Sequence, residues 1–247
     1  VLVLHQTVPQ GKREPVGLEG AATMAMAAEL AERGYVTLAP DSITAGDRID
    51  KFGAFDTRGH YLRCPGLSAM GKMLHDAQRA IDVLEASADV DAERIGAIGH
   101  SLGAEEAVLL AAFDQRVRAC VASCGYATLA AESNRLCWAR DEWFSYMPKL
   151  RPLLVRGKLP GWDWDDVIRL IAPRAFFQYT AENDQIFPES RSAHQAALAA
   201  GDAWSLYNAS ERFTARLGAG RHDFPDEQRR EAYRWHDRQL RRTPADD

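Results

Sequence analysis

Arg94-Ile-Gly-Ala-Ile-Gly99-His100-Ser101-Leu102-Gly103 is the stretch on which the reading of this chain turns. It holds the pattern Gly-x-Ser-x-Gly, too short a pattern to mean much alone. Its flanks make it informative. A short apolar run, Arg94–Gly99, leads directly into it, and the helical stretch Leu102–Phe113 leads directly out. A serine between a strand and a helix sits on a sharp turn that exposes its hydroxyl above the carboxyl edge of a sheet. Small residues at 99 and 103 let neighbouring backbone approach that turn closely. Ser101 is therefore the expected nucleophile.

Outward from this point the chain alternates between strand-like and helix-like stretches. Val1–His5, Tyr35–Ala39, Val117–Ser123, Ala175–Thr180 and Trp204–Asn208 read as further strands, being short and rich in β-branched or aromatic residues. Leu18–Arg33, Leu67–Ser87, Pro188–Ala200 and Asp226–Leu240 read as helices, from apolar spacing, a closing Gly34, and acidic residues in the first turn of the last one. Asp41 to Pro65 reads as a long loop. Regular alternation predicts a mostly parallel sheet with helices on both faces. Residues 127–167 break the rhythm and carry Trp138, Trp143, Trp162 and Trp164, four of the six tryptophans. They read as a cap excursion over the carboxyl edge, within a single domain spanning 1–247.

A serine hydroxyl needs a base to take its proton. Seven histidines are available. His100 adjoins Ser101 but should point into the protein. His75, His194 and His236 fall in predicted helices, His60 in the long loop, and His5 at the end of the first strand as a structural residue. His222 lies in a loop between the last strand and the last helix, at the edge where sheet-based sites gather. The base in turn needs a carboxylate to fix its tautomer. Asp184, in the loop after Ala175–Thr180, is preferred, with Glu182 as the rival. Two backbone N–H groups should hold the developing oxyanion: that of Leu102, and one from the loop after the first strand, Thr7 or its neighbour Gln6. Trp138, Trp143, Ile186 and Phe187 are the expected pocket residues. Arg135, Arg140 and Lys149 are cations that an anionic substrate could meet.

Residues Leu4-His5-Gln6-Thr7, Gly11-Lys12-x-Glu14, Leu30 to Asp41, Gly46-Asp47-Arg48, Ile98 to Gly103 and His222-Asp-Phe-Pro225 together resemble the α/β-hydrolases of the dienelactone hydrolase-like and acetyl xylan esterase-like group. The order Ser101, Asp184, His222 is the order of that fold. The resemblance implies a serine esterase cleaving small acyl or acetyl esters through a Ser-His-Asp triad, with no cofactor and no metal. Dienelactone hydrolases proper use a cysteine where this chain has Ser101, which points to ordinary ester chemistry. The family fold begins with two antiparallel strands ahead of the one at Val1. With an opening residue already inside a strand, the expectation is that the natural N-terminus lies upstream.

Composition narrows the classes further. Hydrophobic residues make up 46% and charged residues 26% of 247, the balance of a globular chain. Thirty basic against 35 acidic residues leave a net charge of −5, so no basic surface argues for nucleic acid or an anionic membrane. No apolar run reaches the ~18 residues of a membrane span. Localisation and oligomeric state stay open. The four cysteines, Cys64, Cys120, Cys124 and Cys137, match no zinc spacing and are expected as reduced, buried thiols. Two other activities share this type of domain: a prolyl-oligopeptidase-type peptidase, and a non-catalytic binding protein of the same fold. Haloalkane and epoxide hydrolases carry an aspartate where Ser101 stands and are disfavoured.

Overall fold

The computed structural model describes residues 1–241; residues 242–247 of the expected domain lie outside the described residues. Five parallel strands form one sheet in the order of the chain: β1 (Leu2–Leu4), β2 (Gly96–His100), β3 (Ala119–Ser123), β4 (Ala175–Ala181) and β5 (Phe213–Gly218). The helices are α1 (Met26–Glu32), α2 (Arg58–Arg63), α3 (Ala69–Glu85), α4 (Leu102–Phe113), α5 (Arg151–Leu154), α6 (Trp164–Arg169), α7 (Ser190–Ala200), α8 (Asp202–Leu206) and α9 (Asp226–Arg241).

The two-residue period of a strand divides the apolar side chains between two cores. Leu2, Leu4, Cys120, Ala122 and Phe176 face one core with α3, α4, α6 and α7. Val1, Val3, Ile98, Ala119, Val121 and Phe177 face the other with α1 and α9. This is the sheet covered on both faces that the alternation predicted. Helix α4 is central: Leu102 through Ala111 are all buried, and it packs on β1, β2, β3, α3 and α6. A helix apolar on nearly every side belongs in such a place.

Several expected elements differ. Trp204–Asn208 was expected as a strand; the chain there is helix α8 and the turn after it. Trp204 packs its ring on Phe176 and Phe213 and donates its indole N–H to the Arg174 carbonyl at 2.7 Å. The last strand is β5, whose alternation of Phe213, Ala215 and Leu217 with Thr214 and Arg216 was the overlooked signal. Leu18–Arg33 is not one helix. Gly17 and Gly20 hold positive φ, a 3₁₀ turn covers Ala22–Met24, and only Met26–Glu32 is α-helical. Tyr35–Ala39 contributes a single parallel bridge, Leu2 to Leu38, before Pro40 ends it. The long loop 41–65 contains α2, and His60 lies on it, bonded to the Leu67 carbonyl at 2.8 Å. All four cysteines are free; Cys120 and Cys124 are buried and Cys137 partly so, but Cys64 is exposed, against expectation.

The bridge at Leu38 locates the site. From β1 the chain first crosses to one side, to Leu38, and then to the other, to β2. Strand order reverses between these crossings, and the carboxyl ends of β1 and β2 flank the resulting crevice, where ligands gather in open α/β sheets.

Candidate active site

Ser101 ends β2 and opens α4 with φ 54° and ψ −124°. A non-glycine residue held there stores roughly 1–3 kcal/mol, and surrounding structure must impose it. Its own N–H donates to the Ser123 carbonyl at 2.8 Å, while the N–H groups of Ala104 and Glu105 donate to its carbonyl. The two glycines of the pattern are explained by contact. A Cβ on Gly99 would stand 2.1 Å from the Gly103 carbonyl oxygen, and one on Gly103 would stand 2.1 Å from the Leu4 carbonyl oxygen. Strand, turn and helix approach too closely for any side chain at either position.

His222 lies in the loop between β5 and α9. Its Nε2 is 2.9 Å from Ser101 Oγ, and its Nδ1 is 2.7 Å from Asp184 Oδ2. The carboxylate can only accept, so Nδ1 carries the proton and Nε2 is left to accept the serine hydroxyl. Asp184 follows β4, and its other oxygen accepts the N–H groups of Ile186 and Phe187 at 2.8 and 2.9 Å. Both side chains are shielded, 0% exposed for Asp184 and 8% for His222. Glu182, the rival acid, is engaged elsewhere, in an ion pair with Arg191. His100 points into the protein, with Nδ1 3.0 Å from Ser123 Oγ, and burial holds its pKa well below the ordinary value.

Leu102 is the first residue of α4, where a helical N–H has no intrahelical acceptor and the helix dipole favours negative charge. Thr7 and Gln6 lie opposite, after β1. Among the described residues, no hydrogen bond engages the N–H of either one. That loop is pinned on two sides. His5 Nε2 accepts the Ser42 N–H at 3.0 Å, and the Gln6 amide donates to both Glu14 oxygens at 3.1 Å. Gly11 and Gly46, both at positive φ, crowd the buried carboxyl of Asp41, which also takes the Lys12 ammonium at 2.6 Å.

These groups surround one cavity of about 340 Å³. Gln6, Thr7, Ser101, Leu102 and His222 form one side. Trp138, Trp143, Ile186 and Phe187, the expected pocket residues, line the rest. Trp138 and Phe187 are buried and stack 6.2 Å apart, whereas Trp143 and Ile186 are exposed at the rim. Trp164 stacks on Tyr126, with Trp162 against its edge, so these two pack the segment between β3 and β4. Of the three expected cations, Arg140 reaches the cavity and lies over the Trp143 ring at 5.1 Å; Arg135 and Lys149 are not in its wall.

Sequence reasoning missed Glu105 and Glu132, two buried acids in the cavity wall. Burial pushes the Glu105 carboxyl well above its usual range, with Arg140 opposing, and raises Glu132 as well. A signal for Glu105 was present: an acid four residues after Ser101, one of two adjacent acids, with Glu106, on a helix whose other residues are all apolar or glycine. For Glu132, in irregular chain, the sequence carried none.

The comparisons agree with this architecture. Residues 13–136 match the sequence profile of the dienelactone hydrolase family. A Bacillus subtilis (strain 168) protein, YtaP, described as a hydrolase, is 28% identical over 180 residues. That alignment covers 72% of this chain and 57% of YtaP, so the chain spans little more than half of that relative. A glucuronoyl esterase from Solibacter usitatus superposes with a TM-score of 0.66 at 19% identity, covering 96% of this chain and 73% of its own. An esterase from a marine bacterial metagenome, described as promiscuous, reaches 0.70 at 13% identity, with 97% and 73% covered. A Bacteroides fragilis protein described as an acetyl xylan esterase reaches 0.63 at 15% identity, with 87% and 57% covered. At these identities the structural likeness speaks for the fold. Among the described residues no helix is long and apolar enough to cross a membrane.

Proposed function

The chain belongs to the dienelactone hydrolase family, and from that premise we propose that it is a serine esterase, cleaving small acyl esters through Ser101, His222 and Asp184. The observation that carries this reading is the unbroken hydrogen-bonded chain from Ser101 Oγ through the His222 ring to the Asp184 carboxylate, opening on a cavity.

His222 Nε2 takes the Ser101 proton as Oγ attacks the ester carbonyl. The imidazolium that forms is stabilised by Asp184, which stays ionised. Negative charge on the carbonyl oxygen is met by the N–H groups of Leu102 and of Thr7 or Gln6, and each such donor is worth about 10²–10³ in turnover. His222 then protonates the departing alcohol. A water, deprotonated by the same ring, attacks the acyl-serine, and collapse releases the acid and restores Ser101. The substrate is a small ester whose apolar part lies against Trp138 and Phe187. Acetyl and glucuronoyl esters, the substrates in the names of the structural neighbours, are within the size of this cavity.

The test is hydrolysis of p-nitrophenyl acetate together with labelling by a fluorophosphonate. Ser101 should be labelled and should turn over the ester, and Ser101→Ala should abolish both. Retained turnover in the alanine variant would sink the assignment.

A further inference from the structure

Polar groups in the cavity wall have more hydrogen-bonding capacity than the protein uses. Glu105 and Glu132 are 4% and 2% exposed, and the Oε2 atom of each has no partner among the described residues. Trp138 is 2% exposed, and its indole N–H is also unpartnered. All three line the cavity beside Ser101, as does Arg140, which makes no ion pair among the described residues. Buried polar atoms are nearly always satisfied, so three unpartnered ones on residues that line a single cavity point to a ligand there.

The chemistry of the four groups limits what that ligand is. An unadorned acyl chain would leave two carboxyl oxygens and an indole N–H buried and unmet. An ammonium group would suit the carboxyls, but it offers nothing to the indole N–H and is repelled by Arg140. A carboxylate would suit Arg140 and the indole, but it faces two acids. Hydroxyl groups both donate and accept. They satisfy acids and N–H donors alike, and aromatic walls such as Trp138 and Phe187 suit the C–H faces of the ring that carries them.

Resting on the esterase reading above, we propose that Glu105 and Glu132, with the Trp138 indole N–H, are the specificity determinants of this site and read hydroxyl groups next to the scissile ester on a ring-shaped substrate. The geometry gives Glu105 the nearer hydroxyl, since it lies one helical turn from Ser101 on α4. Glu132 and Trp138 come from the segment between β3 and β4 and close over the ring.

Two matched pairs of esters test this in the intact protein. One compares a mono-acetylated methyl xyloside with cyclohexyl acetate, and the other compares the methyl ester of a methyl glucuronoside with methyl cyclohexanecarboxylate. The members of each pair share the ester and a six-membered ring and differ in the hydroxyls, the ring oxygen and the anomeric methoxyl, so the leucine variants assign the preference to the carboxyls; the two pairs place the hydroxyls on the alcohol or the acid side. The readout is the ratio of kcat/KM within a pair, which a general loss of competence lowers equally in both members. The wild type should favour the hydroxylated member of at least one pair by 10-fold or more, a modest preference for a site built to hydrogen-bond. Glu105→Leu and Glu132→Leu should each reduce that ratio by about 10-fold, mainly through KM, and Glu105→Gln should keep part of it. Should a leucine variant fail to fold, competition by free methyl xyloside, but not by cyclohexanol, in the wild type decides the matter. A ratio near one in a wild type that hydrolyses p-nitrophenyl acetate overturns the proposal and leaves the esterase reading standing. So does a ratio untouched by both leucine variants. Absence of ester turnover and of Ser101 labelling overturns the esterase reading and this proposal with it.

Discussion

Asp184 and His222, 38 residues apart in sequence, meet at 2.7 Å between Oδ2 and Nδ1, and the second oxygen of the same carboxyl is fixed by two backbone N–H groups. The carboxyl therefore cannot turn without breaking three bonds, and the ring it holds cannot reverse its tautomer. In Asp184→Asn an amide N–H can face Nδ1 and favour the wrong tautomer. We expect kcat on p-nitrophenyl acetate to fall by ~10³–10⁴. Glu182→Gln, which only loosens a half-exposed pair with Arg191, should change kcat by less than about 3-fold. Steady-state kinetics on both variants checks this, and the reverse ranking would reassign the acid.

Gly99→Ala and Gly103→Ala should each destabilise the fold by about 3 kcal/mol or more. The new methyl meets backbone in both cases, the Gly103 carbonyl in one and the Leu4 carbonyl in the other, and backbone cannot rotate aside. Urea denaturation followed by circular dichroism measures the loss. Gly53→Ala is the control for sterics, since nothing lies within 4 Å of its added Cβ, although its φ of 99° still strains an alanine.

Backbone strain at Ser101 has its own test. Glycine ordinarily costs roughly 0.5–1 kcal/mol relative to alanine. At φ 54° and ψ −124° the order should reverse, with Ser101→Gly more stable than Ser101→Ala by about 1 kcal/mol, both being inactive. Equal or lower stability of the glycine variant would show that the turn holds no such strain.

Two buried groups give opposite pH dependences. Burial lowers the His236 pKa from 6.5 to about 4. Below pH 6.5 the unfolded chain takes up a proton that the folded chain refuses, so this group's contribution is present above 6.5 and is lost as pH falls toward about 4. Burial raises Glu106 from 4.5 to about 8, with Asp76 adding to the effect. Between 4.5 and about 8 the unfolded chain releases a proton that the folded chain retains, so stability falls as pH rises through that window. Glu106→Gln should therefore differ little from the wild type near the lower end of the window. It should become the more stable by several degrees in Tm near the upper end. Thermal melts across this range measure both slopes, and a Tm difference independent of pH would contradict the Glu106 assignment.

Sheet and nucleophile were legible because their signals are local. Gly-x-Ser-x-Gly between a strand and a helix, the alternation of apolar runs, and an acid or a histidine in the loop after a later strand are each read from a few neighbouring residues, although Ser101, Asp184 and His222 are far apart along the chain. β5 was misplaced because a half-exposed edge strand has a weak apolar pattern, whereas Trp204 in the run before it looked strand-like and is in fact a helical residue covering Phe176. The choice between Asp184 and Glu182 could not be settled locally, since both follow β4. It rests on which side chain faces His222 and which faces Arg191.

By itself the sequence determined the parallel α/β architecture and the order serine, acid, histidine, with Ser101 and His222 singled out and the acid narrowed to Asp184 or Glu182, because periodicity and turn chemistry act over short distances. Tertiary structure alone decided which polar groups share a cavity. Glu105 arrives on the helix after β2 and Glu132 on the segment after β3, where they join Trp138 and Arg140 of that same segment and the expected Ile186 and Phe187 from the loop after β4. No local pattern records that convergence, since it follows from how three separate crossovers pack above one sheet edge.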